Sequence, residues 1–94
     1  MAKEYRYYVT AGINAAIERD AHFAKEVFLA TSRYAVHDWG DLCESDIALN
    51  EQALQHGGRI LAAYPTSQGR MYIITEDAAA RLLMTTVLFA QKNE

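Results

Sequence analysis

The sequence predicts a small α+β domain in which an antiparallel sheet of three to four strands carries two to three helices packed on one face. Three observations predict it: an opening stretch that alternates with a period of two, a following segment whose apolar residues recur at three- and four-residue steps, and two β-prone runs around a turn-rich stretch. The 94 residues make one domain, 1–94, because a second hydrophobic core needs a chain well beyond about 100 residues. With 51% hydrophobic and 22% charged residues and a single proline, the chain can bury a core that a disordered sequence could not.

Glu4-Tyr-Arg-Tyr-Tyr-Val-Thr10 places Tyr5, Tyr7 and Val9 on one side and Arg6, Tyr8 and Thr10 on the other, in residue types that suit a pleated surface, and reads as a strand. Ala11-Gly12 breaks that alternation. Ile13, Ala16, Ile17, Ala21, Ala24, Val27, Phe28 and Ala35 then recur at three- and four-residue steps, a helix running to about Tyr34. Asp20 can interrupt the run as the cap of a second helix, since its carboxylate accepts from free first-turn amides, so one long helix and two short ones both fit. His37-Asp-Trp-Gly-Asp-Leu-Cys43 loses helical periodicity at Gly40 and reads as a compact loop. A helix over Ser45 to His56 follows, with acids at its start, where the helix dipole favours them, and Gly57-Gly58 at its end.

Arg59-Ile-Leu-Ala-Ala-Tyr64 and Met71-Tyr-Ile-Ile-Thr75 read as antiparallel strands joined by a Pro65 to Arg70 loop. Asp77 to Met84 has helical propensity and Thr85-Thr-Val-Leu-Phe89 is strand-like, which predicts a helical turn and then an edge strand pairing back onto the hairpin, with a polar tail at Gln91 to Glu94.

Composition narrows the function. Nine Lys and Arg against twelve Asp and Glu give a net charge of -3, which disfavours nonspecific nucleic-acid binding driven by counterion release. One cysteine cannot form an internal disulfide, and no apolar run approaches the roughly 18 residues that span a bilayer, so a cytoplasmic, non-membrane protein is expected. Cys43, His37, Asp38 and Asp41 fall close together, yet no Cys-x-x-Cys or His-x-x-x-His pair anchors a metal, and neither is there a glycine-rich phosphate loop. The expectation is therefore a non-enzyme with no cofactor, no metal and no catalytic residues. Cys43 is then a small buried hydrophobe and His37 a helix C-terminal residue.

Tyr5, Tyr7 or Tyr8 could stack bases on a sheet, with Arg6, Arg59 and Arg70 as a phosphate footprint; three arginines make that footprint weak. The charge layout carries more information. Between Arg33 and Arg59 there is no Lys or Arg, while Asp38, Asp41, Glu44, Asp46 and Glu51 all fall there beside Trp39 and Leu42. One reading is a solvated loop and helix start with Trp39 in the core. The other makes Asp38, Trp39, Asp41, Glu44, Asp46 and Glu51 a binding surface for a basic protein or nucleoprotein complex, with Trp39 as its aromatic anchor.

Asp38-Trp-Gly-Asp-Leu-Cys43, Asn50, Ala53-Leu54, Gly57-Gly-Arg-Ile-Leu61, Tyr64, Gly69, Ile73-Ile-Thr-Glu76 and Thr85-Thr-Val-Leu-Phe89 resemble a family of small bacterial proteins from plasmids, phages and other mobile elements. The likeness runs from about residue 8 to residue 89. It implies a mobile-element origin and transfers no activity. Some family members carry a restriction-modification methylation label, which does not fit a chain without the glycine-rich strand-to-helix turn that a cofactor-binding methyltransferase needs. Where the family usually reads Thr-Glu-Ala-Asp-Arg, this chain has Thr75-Glu-Asp-Ala-Ala-Ala-Arg-Leu-Leu-Met84, a longer apolar stretch. The resulting expectation is a small binding protein of a mobile element, in its sharpest form an inhibitor of a host defence complex such as an anti-CRISPR protein. The alternative is an accessory nucleic-acid or regulatory module using the tyrosine-rich sheet face.

Overall fold

The computed structural model describes residues 4–90. In chain order the elements are β1 (Glu4–Val9), α1 (Ala11–Arg19), α2 (Ala21–Ala35), α3 (Glu44–His56), β2 (Ile60–Thr66), β3 (Gly69–Thr75) and β4 (Leu82–Phe89). The four strands form one sheet in the order β1-β4-β3-β2, an α+β fold with its helices against the sheet. The expected tail at Gln91 to Glu94 lies outside the described residues.

Asp20 decides between one helix and two. Its backbone is extended (φ -140°, ψ 102°) and its Oδ1 accepts from the amides of His22 and Phe23 at 3.0 and 3.3 Å, so α1 stops there and α2 starts. Gln68 Nε2 donates to the other oxygen at 2.9 Å, tying this cap to the β2–β3 turn. Hydrogen bonds from Gln68 and from the Phe23 amide hold the Asp20 carboxyl below its ordinary pKa.

Phe28 and Ala21 of the expected apolar face are exposed; Ile13 and Ala16 of α1 and Phe23, Val27, Ala30 and Tyr34 of α2, also at three- and four-residue spacing, are the buried side chains. They cover Tyr64, Met71, Ile73, Val87 and Phe89 on one face of the sheet, with Phe23 stacked on Phe89 at 5.6 Å. Within this core the Tyr34 hydroxyl bonds Thr75 Oγ1, which in turn lies 2.8 Å from Thr85 Oγ1. Burial keeps the Tyr34 phenol well above its ordinary pKa, and therefore neutral.

Four features differ from the sequence expectation. The sheet is mixed: β1 runs parallel to β4, in register Tyr5 with Leu83 and Tyr7 with Thr85. β4 is an inner strand between β1 and β3, where an edge strand was expected. Leu82 to Met84 belong to this strand, because parallel pairing with Glu4 to Arg6 outweighs a helical propensity of tenths of a kcal/mol per residue. Only a single turn precedes it, in which Asp77 Oδ1 accepts from Ala79 N at 2.9 Å and from Gly58 N at 3.2 Å.

The third difference is the hairpin loop, which shrinks from the expected six residues to Ser67-Gln68. Pro65 lies inside β2, paired with Arg70. It shares its alternation with Ala63, whose amide bonds outward to Trp39 O, so the missing proline N–H costs no ladder bond. Fourth, α3 packs Ala53 into the same core but meets the sheet at its β2 edge. It runs along the β2 edge, where Asn50 Nδ2 donates to Leu61 O at 2.8 Å and Asn50 Oδ1 accepts from Leu61 N at 3.1 Å.

α3 begins at Glu44, one residue before the expected Ser45, and ends at Gly57, whose amide donates to Ala53 O at 2.8 Å. Gly57 has a positive φ, 89°, with ψ 170°. That pair lies beyond the left-handed helical well, in a region essentially reserved for glycine. An added Cβ would also sit 2.9 Å from Ala79 Cβ. Gly57→Ala should therefore lower unfolding stability by at least the roughly 1–2 kcal/mol of an ordinary left-handed position, read from the denaturant midpoint at constant slope. An unchanged midpoint would mean the turn can relax around a side chain.

Candidate functional site

The residues of interest converge on the loop between α2 and α3. α2 ends in a turn that uses His37 at φ 64°, with His37 N donating to Tyr34 O at 3.0 Å and Asp38 N to Arg33 O at 2.9 Å. This reversal drops Trp39 onto the core. Its side chain meets Tyr34 edge-on at 5.4 Å, stacks under His37 at 5.2 Å and donates Nε1–H to Glu51 Oε2 at 3.2 Å. Trp39 is 4% exposed, so it is a core residue and cannot serve as the exposed aromatic anchor.

Gly40 follows with φ 76° and forms a parallel bridge to the β2 edge. Ala63 N donates to Trp39 O at 3.1 Å and Asp41 N to Ala63 O at 2.7 Å. A Cβ on Gly40 would lie 2.1 Å from Ala63 O, so only glycine permits this approach.

The five acids of the base-free interval divide by role. Asp38 accepts from Arg33 Nε and Nη2 at 2.7 and 3.1 Å and from Gly40 N at 3.2 Å. The Arg33 bonds, followed by the Gly40 amide, hold its carboxyl below the usual range. Asp41 meets Arg70 Nη1 at 3.3 Å while Arg70 Nη2 donates to the Asp41 carbonyl at 3.1 Å. Glu51 receives the Trp39 indole. Glu44 and Asp46, in the first turn of α3, make no ion pair among the described residues. The structure thus brings the acids to one loop and one helix start, and engages Asp38 with Arg33 and Glu51 with Trp39 while both acids stay exposed. Asp41, 70% exposed at its side chain, and Glu44 and Asp46 remain on the surface.

Sequence reasoning missed both arginine clamps. Arg33 stands over the Tyr64 ring at 5.1 Å and Tyr64 donates its hydroxyl to Asp38 O at 2.7 Å. Arg70 comes from a strand 29 residues away from Asp41. No local pattern signals a pairing of that separation.

Cys43 is exposed, where a buried position was expected; it is the residue before α3, with Sγ 3.2 Å from Ser45 Oγ. No group of three or more His, Cys, Asp or Glu able to hold a metal ion occurs among the described residues. No described helix is long and apolar enough to cross a membrane.

The tyrosines of β1 do not form one platform. Tyr5 stacks on Tyr7 at 5.6 Å and meets Tyr34 edge-on at 6.0 Å, all on the helix-bearing face, leaving Tyr8 on the opposite face. Arg6 is paired with Glu4 at 3.1 Å and Arg70 with Asp41, which weakens the phosphate footprint further.

No protein-family model matches the chain, and no match was found among curated proteins or solved structures.

Proposed function

We propose that this chain is a non-catalytic binding protein that acts by contact with a basic protein or nucleoprotein complex through its acidic surface. The observation that carries the reading is the exposure of Asp41, Glu44 and Asp46 along the loop and first turn of α3, a segment without a Lys or Arg of its own. The Trp39–Ala63 bridge and the two arginine clamps hold that loop in place, so its carboxylates are presented with little ordering cost on association. In its most specific form the chain is a mobile-element inhibitor of a host defence complex, of the anti-CRISPR kind, whose carboxylates occupy an arginine-lined channel that otherwise holds nucleic acid. The resemblance to mobile-element proteins supports that form.

The test compares the native chain with Asp41→Asn/Glu44→Gln/Asp46→Asn against a partner captured from host lysate and identified by mass spectrometry. Asp38 is left intact because its bidentate pair with Arg33 anchors the loop. The triple variant should keep a nearly unchanged thermal midpoint, since exposed charges contribute little to stability. Its association rate should fall and lose most of its salt dependence, because steering follows the summed field. Equal rates and salt slopes for both proteins would remove the acidic surface from the account.

A further inference from the structure

We propose that the outer edge of β1 is a self-association edge, on which a second copy pairs its own β1 antiparallel about a twofold axis at Tyr7, joining two four-stranded sheets into one. The backbone supplies the first argument. Glu4 N bonds Arg81 O and Thr10 N bonds Val87 O, so the even-numbered amides of this strand face β4. In a parallel ladder the odd-numbered residues then direct both N–H and C=O away from it, so Tyr5, Tyr7 and Val9 present six polar groups that the β1–β4 ladder leaves unpaired.

The second argument is contrast with the opposite edge. On β2 the outward groups are used: Leu61 is clamped by Asn50, Ala63 is bridged to Trp39 and Asp41, and Pro65 has no N–H to offer. That edge is closed to a new strand. β1 carries none of the devices that close an edge: it has no proline, no lysine and no bulge, and its two charges, Glu4 and Arg6, neutralise each other at 3.1 Å. Its large side chains are also open, with Tyr7 at 39%, Tyr8 at 48% and Val9 at 40% exposure.

The occupant is a second copy because the strand is complementary to itself. With the twofold at Tyr7, each outward residue meets another outward residue: Tyr5 lies opposite Val9 and Tyr7 opposite Tyr7, which places all the outward groups in hydrogen-bonded pairs. Tyr5–Val9 is an aromatic and β-branched pair, the kind that stabilises a sheet across strands. On the other face Arg6 lies opposite Tyr8, a cation–π pairing, and Glu4 opposite Thr10, so no like charges stand directly opposite one another.

The native protein should sediment as a dimer at high micromolar concentration. Tyr7→Lys and Tyr7→Glu should each sediment as a monomer with unchanged circular dichroism, since each sets like charges opposite one another at a half-exposed position. An equimolar mixture of the two should recover the dimer. A native monomer at every concentration, a Tyr7→Lys dimer, or a mixture that stays monomeric would each overturn the proposal. Amide exchange of the native chain gives a second reading that needs no variant to fold. The Tyr5, Tyr7 and Val9 amides should be protected at high concentration and lose that protection on dilution; rapid exchange at both concentrations would overturn it. None of these outcomes depends on the acidic surface.

Discussion

Trp39→Ala should lower the unfolding free energy by about 3–5 kcal/mol, the cost of replacing a buried tryptophan and leaving a cavity. At the roughly 4–8 °C per kcal/mol of a domain this size, the thermal midpoint should fall by at least about 12 °C. The indole is 4% exposed and forms one wall of the core beside Tyr34. Its loss also frees Glu51 from the Nε1–H bond and takes away the ring on which His37 stacks. Because the neighbouring carbonyl pairs with Ala63, the loop carrying Asp38 and Asp41 should loosen with it. Thermal denaturation and exchange of the Ala63 amide read both effects. A variant of native stability would mean that the tryptophan is an exposed anchor, contrary to its position here.

Asn50→Leu should cost about 2–4 kcal/mol, although the two side chains share heavy-atom count and branching. Asn50 is 3% exposed and satisfies both the N–H and the C=O of Leu61. A leucine leaves both groups unpaired on a covered edge, at roughly 1–3 kcal/mol each. Asn50→Asp separates the two bonds: the carboxylate can still accept from Leu61 N but offers no donor to Leu61 O. It should be destabilising too, and exchange should show the Leu61 amide protected in the aspartate variant and exposed in the leucine variant. Denaturant midpoints unchanged in both would show that water serves this edge as well as the asparagine does.

The legible parts of the fold are those whose cause is local. β1 follows from alternation, α1 and α2 from apolar spacing, and the end of α3 from Gly57-Gly58, each decided by residues within a few positions of one another. Asp20 shows where local reasoning stops. A carboxylate that can cap is visible in the chain, but whether it does depends on packing, and the Gln68 contact 48 residues away helps hold it. Asp77 to Met84 misleads for the same reason: three alanines and two leucines favour a helix weakly, and the partners that make Leu82 to Met84 a strand lie at the other end of the chain.

The candidate site divides in the same way. By itself the sequence determined the α+β class, the loop at Gly40 and the concentration of acids between Arg33 and Arg59, because composition and short-range periodicity are properties of the chain. Only the tertiary structure decided that β1 runs parallel to β4, that Trp39 is core, that Asp38 and Asp41 are held by Arg33 and Arg70, and which carboxylates remain open. Those facts depend on which distant groups meet. A charge or an indole has the same local signature whether its partner is solvent or a side chain brought in from another strand, and the free energy that chooses between them is released only when the sheet closes.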